Sequence, residues 1–190
     1  MRVIAGSQKG RRLFGSQGLE IRPTSGRVKE AIFSILGPSI EEARVLDLYA
    51  GTGALGIEAL SRGANRVVFV ESHPASLRLL QANIERCGLV THADVRACRV
   101  EDFLEHEGIP RANFSVVFAD PPYRLDSAQM LLPSLARSAM IAPDSIVLLE
   151  HPTRQHIPLQ IGRLHWVRSY RHGDTSLSKF MVAHPEIQHL

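Results

Sequence analysis

Apolar positions along this chain follow two rhythms that take turns. From Arg44 onward, short and nearly continuous Val, Ile, Leu and Phe runs appear at 44–49 (RVLDLY), 66–71 (RVVFVE), 114–119 (FSVVFA) and 145–150 (SIVLLE). Between them lie stretches whose apolar residues recur every three or four positions, the spacing of one helix face. ALGIEALSR, ended by Gly63, is one such helix, and Pro74 to Cys87 is another, with Leu77, Leu80, Ile84 and Cys87 on its apolar face. A weaker strand is predicted from Asp94 to Val100, then a short helix over EDFLEH, and DSAQMLLPSLARS reads as a helix interrupted by Pro133. Runs buried on both faces and alternating with helices predict a parallel sheet covered on each side. Leu164–Tyr170 and Ser178–Ala183 are placed as an antiparallel pair closing its edge.

The first forty residues follow a different pattern. Residues 1–22 hold four glycines, many charges and only short apolar pieces, which predicts a hairpin-like basic extension ahead of one domain over 23–190. RPTSGRVKEAIFSILGP reads as a helix capped by Thr24 or Ser25 and stopped at Gly37-Pro38. Its apolar face is Val28, Ile32, Ile35 and Leu36.

Charge sharpens the picture more than bulk composition does. The 190 residues carry a net charge of only +3, yet residues 1–30 hold seven Arg or Lys against two Glu, and residues 151–180 hold five against one Asp. Two separated basic segments suit a polyanionic partner. No apolar run is long enough for a bilayer span and the N-terminus has no signal-type apolar core, so the expected location is cytoplasmic. Cys87 and Cys98 lack CxxC spacing and are read as free thiols, and nine histidines without paired ligand spacing give no metal site.

Two constellations carry chemistry. In DLYAGTGALGIE, Gly51, Gly53 and Gly56 satisfy GxGxxG between a predicted strand and helix, and Glu71 ends the next strand, where a carboxylate can accept from ribose hydroxyls. Taken alone this fits a dinucleotide or S-adenosylmethionine equally. Asp47, inside the first strand, favours the latter, because a sulfonium and an ammonium are cationic whereas a pyrophosphate prefers a bare helix N-terminus; capping the glycine loop is its alternative role. The second constellation is Asp120-Pro121-Pro122-Tyr123, at the end of FSVVFA. A nucleobase amine is a weak nucleophile, and Asp120 with the Pro121 carbonyl offers two acceptors for its N–H groups. Prolines stiffen the turn, and Tyr123 offers a face for an extruded base.

The glycine loop joined to Asp-Pro-Pro-Tyr resembles the class I, S-adenosylmethionine-dependent amino-methyltransferases. RVIAG…KGRRL, RPTSGRVKEAIFSIL, LDLYAGTGALGIEALSRGA and GDTSLS further resemble the bacterial 16S rRNA guanine-N2 methyltransferase family that modifies guanine 966. That resemblance implies a Rossmann-like α/β fold, a seven-stranded mostly parallel sheet with helices on both faces. It implies Asp47, Ala50, Gly51 and Gly53 along the methionyl side of the cofactor, Glu71 at its ribose, Ser72 beside the adenine, and Asp120 to Tyr123 around the guanine, with Asp120 also among the cofactor-binding residues. A backbone amide near Val100 is expected to read the adenine. Arg2, Lys9, Arg11, Arg12, Arg22, Thr24 and Arg27 are the expected RNA contacts, and GDTSLS is expected to brace the edge strands. The implied enzyme is a monomer acting on 16S rRNA of an assembling small subunit, with neither metal nor membrane. Amino-methylation of adenine N6 in DNA or of another RNA base, or of a glutamine side chain, uses the same acid-proline-proline motif. A nicotinamide oxidoreductase and a non-catalytic RNA-binding domain are the readings from other classes.

Overall fold

A computed structural model describes residues 1–15, 26–105, 113–122 and 127–184, with the side chains of Arg27, Ser127 and Ala128 outside the description. In chain order the elements are α1 (Gly26–Leu36), β1 (Arg44–Leu48), α2 (Ala54–Ser61), β2 (Arg66–Glu71), α3 (Pro74–Arg86), β3 (Ala93–Ala97) and α4 (Val100–Glu105). There follow β4 (Phe114–Ala119), α5 (Ser127–Arg137), β5 (Ile141–Pro152), β6 (Gln160–Ile161), β7 (Leu164–His172) and β8 (Thr175–Val182).

The strands form a single sheet in the order β3-β2-β1-β4-β5-β8-β7-β6. Pairings from β3 through β5 are parallel, and β8 enters antiparallel between β5 and β7. The sheet has eight strands where seven were expected; the addition is the two-residue β6, hydrogen-bonded to the start of β7. The period-two pleat splits the core cleanly. Val45, Val67, Phe69, Val116 and Phe118 face α1, α2 and α3, while Leu46, Val68, Val70, Val117 and Ala119 face α4 and α5. This explains why the central runs lack polar alternation: both pleat faces are covered.

Some element limits differ from the expectations. α5 runs unbroken through Pro133, which removes one backbone donor. Buried Leu131, Leu132 and Leu135 hold that helix to the sheet, and each such side chain is worth about 1.5–3 kcal/mol. The third strand ends at Ala97, and Val100 opens α4 instead of closing the strand. β5 begins at Ile141, with a register shift opposite Phe114–Val116 and Asp144 at φ 61°.

The N-terminal residues form a hairpin closed by an antiparallel bridge between Arg2 and Arg12. It is docked rather than loose, since Val3 and Leu13 are buried in the same core layer as α1, α2 and α3. Glu58 on α2 accepts the amides of Ile4 and Ala5, and Lys29 on α1 donates both to Glu58 (2.9 Å) and to the Arg2 carbonyl (2.8 Å).

Candidate active site

Chain direction sets the location of the site. From β1 the chain builds outward through β2 to β3, then returns to lay β4 on the other side of β1. Such a switch leaves a crevice at the carboxyl ends of the strands. Leu48 of β1 is paired with Ala119 of β4, so the turns that follow, Tyr49–Gly53 and Asp120–Pro122, emerge side by side. Glu71 ends β2 on the opposite flank of β1. The geometry thus unites the glycine turn, Glu71 and the acid-proline-proline turn at one edge. Tyr123, Arg22 and Thr24 lie outside the described residues, as do the Arg27 side chain and the cap residues Thr24 and Ser25.

The glycine turn is built with each glycine doing a separate job. Gly51 (φ 56°) and Gly53 (φ 79°) take left-handed backbone, which side-chain-bearing residues adopt at a cost. A Cβ on Gly53 would stand 2.4 Å from Leu80, and one on Gly56 would stand 2.2 Å from the Phe69 ring. Gly56 therefore lets α2 lie close against β2, and Gly53 faces α3, so any ligand contact from Gly53 comes through its backbone. Tyr49 adopts φ 58° without being glycine, which turns its ring over the crevice, and its hydroxyl donates to Glu101 at 3.2 Å. Burial and the negative charge of Glu101 push the Tyr49 hydroxyl pKa upward.

Three carboxylates converge here. Asp47 is buried, and its Oδ2 accepts the Gly56 amide at 2.9 Å, so it does cap the loop–helix junction. Burial, with the charges of Asp120 and Glu71 adding to it, pushes the Asp47 pKa up to about 8 against the opposing pull of that amide. Glu71 accepts the Gly51 amide on Oε2 (2.8 Å) and the Ser72 and His73 amides on Oε1 (2.8 and 2.7 Å). A carboxylate has about four acceptor positions, so one on Oε2 is left for a hydroxyl beside the glycine turn.

A cleft of about 410 Å³ opens between these groups and α5, lined by Tyr49, Glu71, Ser72, Val100, Pro122 and Met130. Val100 reaches it from the first turn of α4, buried at its floor. Met130, 70% exposed, stands at the rim; its position off the apolar face of α5 was the signal that could have marked it. Tyr49 was likewise missed, although it sits next to the motif. A polar end at Glu71 and Ser72 with apolar walls at Val100 and Met130 fits a nucleoside. Arg99 and Glu101 of the lining pair at 3.3 Å, so the carboxylate of Glu71 sets the sign and suits one that carries positive charge. S-adenosylmethionine has both properties, and NAD has the opposite charge. No group of three or more His, Cys, Asp or Glu suited to a metal occurs among the described residues.

The basic residues of the hairpin gather elsewhere. Lys9, Arg11 and Arg12 share a second, shallower cup of about 370 Å³ with Arg86 at the end of α3. Arg11 donates to the Arg86 carbonyl at 2.7 Å, and the Arg86 guanidinium lies 5.0 Å from the Phe14 ring centroid. Arg86 was not foreseen, since nothing in the local pattern of α3 links it to the hairpin. The GDTSLS segment braces the far edge: the Thr153 amide donates to the Asp174 carbonyl, and Ser178 joins His151 (2.8 Å) to Ser169 (2.7 Å) across three strands.

A sheet whose parallel strands build outward on both sides of β1 and which is closed by an antiparallel β8 is the class I methyltransferase fold. The chain belongs to the family described as "Conserved hypothetical protein 95", whose model matches residues 1–181. It is 36% identical over 178 residues to "Putative rRNA methyltransferase YlbH" of Bacillus subtilis, covering 94% of this chain and 97% of that one. It is also 36% identical over 154 residues to "Ribosomal RNA small subunit methyltransferase D" of Haemophilus influenzae, covering 79% and 78%. Among solved structures, "Putative methyltransferase yhhF from Escherichia coli" superposes with a TM-score of 0.85 at 30% identity, covering 96% of this chain and 98% of that one.

Proposed function

We propose that this protein transfers a methyl group from S-adenosylmethionine to the exocyclic N2 of a single guanine, of the guanine 966 type, in 16S rRNA of the small ribosomal subunit. The coarser activity, S-adenosylmethionine-dependent rRNA methylation, is common ground with its relatives. The observation that carries an amine as the methyl acceptor is Asp120-Pro121-Pro122 emerging beside the glycine turn, with Pro122 lining the cleft. The choice of guanine N2 in 16S rRNA is supported by the resemblance of the N-terminal segments and by the rRNA small-subunit methyltransferase relatives.

When bound, the cofactor supplies an electrophilic methyl on a sulfonium. Glu71 offers its remaining acceptor position to the ribose, with Ser72 and Val100 at the adenine end. Ala50, Gly51 and Gly53 present backbone to the methionyl portion. Asp47 contributes negative charge beneath them, and the cationic ligand draws its carboxyl toward the ionised form. Asp120 and the Pro121 carbonyl accept the two N–H groups of the amine, which holds the nitrogen lone pair toward the methyl. Positioning and charge stabilisation by Asp120 suffice, and the proton leaves as the N–C bond forms or afterwards. Pro122, exposed at the rim, and Tyr123 frame the extruded base. Arg2, Lys9, Arg11 and Arg12 grip phosphates from the hairpin, together with Arg22, Thr24 and Arg27. A monomer meeting a partly assembled small subunit is part of this proposal.

The test is Asp120→Ala. Methyl transfer to 16S rRNA should fall on the order of a hundredfold or more, while affinity for S-adenosylhomocysteine stays within about threefold. Loss of cofactor affinity with transfer retained would move Asp120 out of the amine-holding role.

A further inference from the structure

Asn83 occupies an unusual position between the two ligand-binding regions. It sits on α3 with no exposed surface, among the helix's buried residues Ser76, Leu80 and Ile84. Its Oδ1 accepts the Phe14 amide (2.7 Å), and its Nδ2 donates to the Phe14 carbonyl (3.1 Å) and to the Thr52 carbonyl (2.9 Å). Phe14 follows Leu13 on the strand that carries the basic residues Arg11 and Arg12, and Thr52 lies between Gly51 and Gly53. A single carboxamide therefore holds the hairpin strand with one end and the glycine turn with the other.

The chemistry makes these bonds interdependent. Pairing with both polar groups of Phe14 defines which end of the carboxamide is oxygen and fixes its plane. Only in that orientation does the second N–H point at the Thr52 carbonyl, which is otherwise a buried acceptor with a large desolvation cost. One residue along the chain, the Gly51 amide is the donor to Glu71. Three residues along α3, Arg86 lies over the Phe14 ring and its carbonyl accepts from Arg11, so the basic cup and the Phe14 segment share Arg86.

We propose that Asn83 is a positioning residue that joins the RNA-gripping N-terminal segment to the cofactor turn, so that rRNA and cofactor bind cooperatively through it. This rests on the function proposed above. Cooperativity of this kind is reciprocal: whatever RNA does to cofactor affinity, the cofactor does to RNA affinity.

The experiment is calorimetric titration of S-adenosylhomocysteine into the full chain, with and without saturating small-subunit particles isolated from cells lacking the protein. Wild type should bind more tightly with RNA present, by about five- to tenfold. Asn83→Ala should bind several-fold more weakly without RNA and show no gain with it. Phe14→Pro, which deletes one donor on the hairpin side and touches no cofactor, should reproduce both changes. Gln81→Ala, on the exposed face of α3 where the side chain donates to Glu85, should behave as wild type. Cofactor affinity in Phe14→Pro equal to wild type, or a wild-type affinity unmoved by RNA, would overturn the joint. Failure of wild type to bind S-adenosylhomocysteine at all would instead remove the functional reading on which the joint rests.

Discussion

Glu58 and Asp47 are both carboxylates carried below the surface of one sheet, yet their surroundings treat them in opposite ways. Glu58 has no exposed side-chain surface; burial alone would raise its pKa, but the Ile4 amide, Lys29 and Arg62 together hold it below the ordinary value. Every partner needed to solvate it is present, and the network ties hairpin, α1 and α2 together. Asp47 accepts the Gly56 amide and stands near two further acids, and its burial there raises its pKa to about 8. The first site is complete as folded, whereas the second carries an electrostatic deficit that the proposed cationic cofactor would relieve. Burying a carboxylate with its partners makes structure, and burying it among other carboxylates makes a binding site.

The hardest way to break this contrast is Glu58→Ala. It strands the Lys29 ammonium, which is 1% exposed, and should cost about 3–5 kcal/mol in urea unfolding. A loss under 1 kcal/mol would show that the network is ornamental. Asp47→Asn is the complementary change. A folded pKa near 8 against 3.8 in the unfolded chain means that the native state binds the extra proton between those values. Stability contributed by this group is therefore greatest at or below about pH 4 and declines as pH rises toward 8. Asp47→Asn should melt higher than wild type at pH 8, with the gap narrowing as pH falls toward about 4, while its S-adenosylhomocysteine affinity falls. A gap independent of pH would mean that Asp47 is ionised throughout. Glu58 has the opposite sign: its depressed pKa gives stability above the unfolded carboxylate range that is lost on acidification. The smallest effect belongs to the exposed Arg96–Asp94 pair at 2.7 Å, where Asp94→Ala should change stability by less than about 1 kcal/mol in the same urea series.

Most of the sheet was legible because buried parallel strands need nothing beyond unbroken apolar runs, and RVLDLY, RVVFVE and FSVVFA have little else. The crevice was legible for a related reason: the acids Glu71 and Asp120 sit at strand ends, and the carboxyl ends of parallel strands share an edge. Pairings across long sequence separations left no local trace. Nothing near Lys29 announces Glu58, nothing near Phe14 announces Asn83, and Arg86 looks like an ordinary last-turn cation. Local rules also misjudged Pro133, where three buried leucines outweigh one missing donor. GxGxxG named three glycines of one motif, but only the packed structure shows that Gly53 and Gly56 accommodate Leu80 and Phe69.

The central claim is that this crevice methylates guanine N2 in small-subunit rRNA. Nucleoside mass spectrometry of 16S rRNA from cells lacking the protein, compared with cells supplied with wild type or Asp120→Ala, tests it most directly. The account predicts loss of one N2-methylguanine, restored by wild type and absent with Asp120→Ala. Every N2-methylguanine intact in the deletion strain would contradict it.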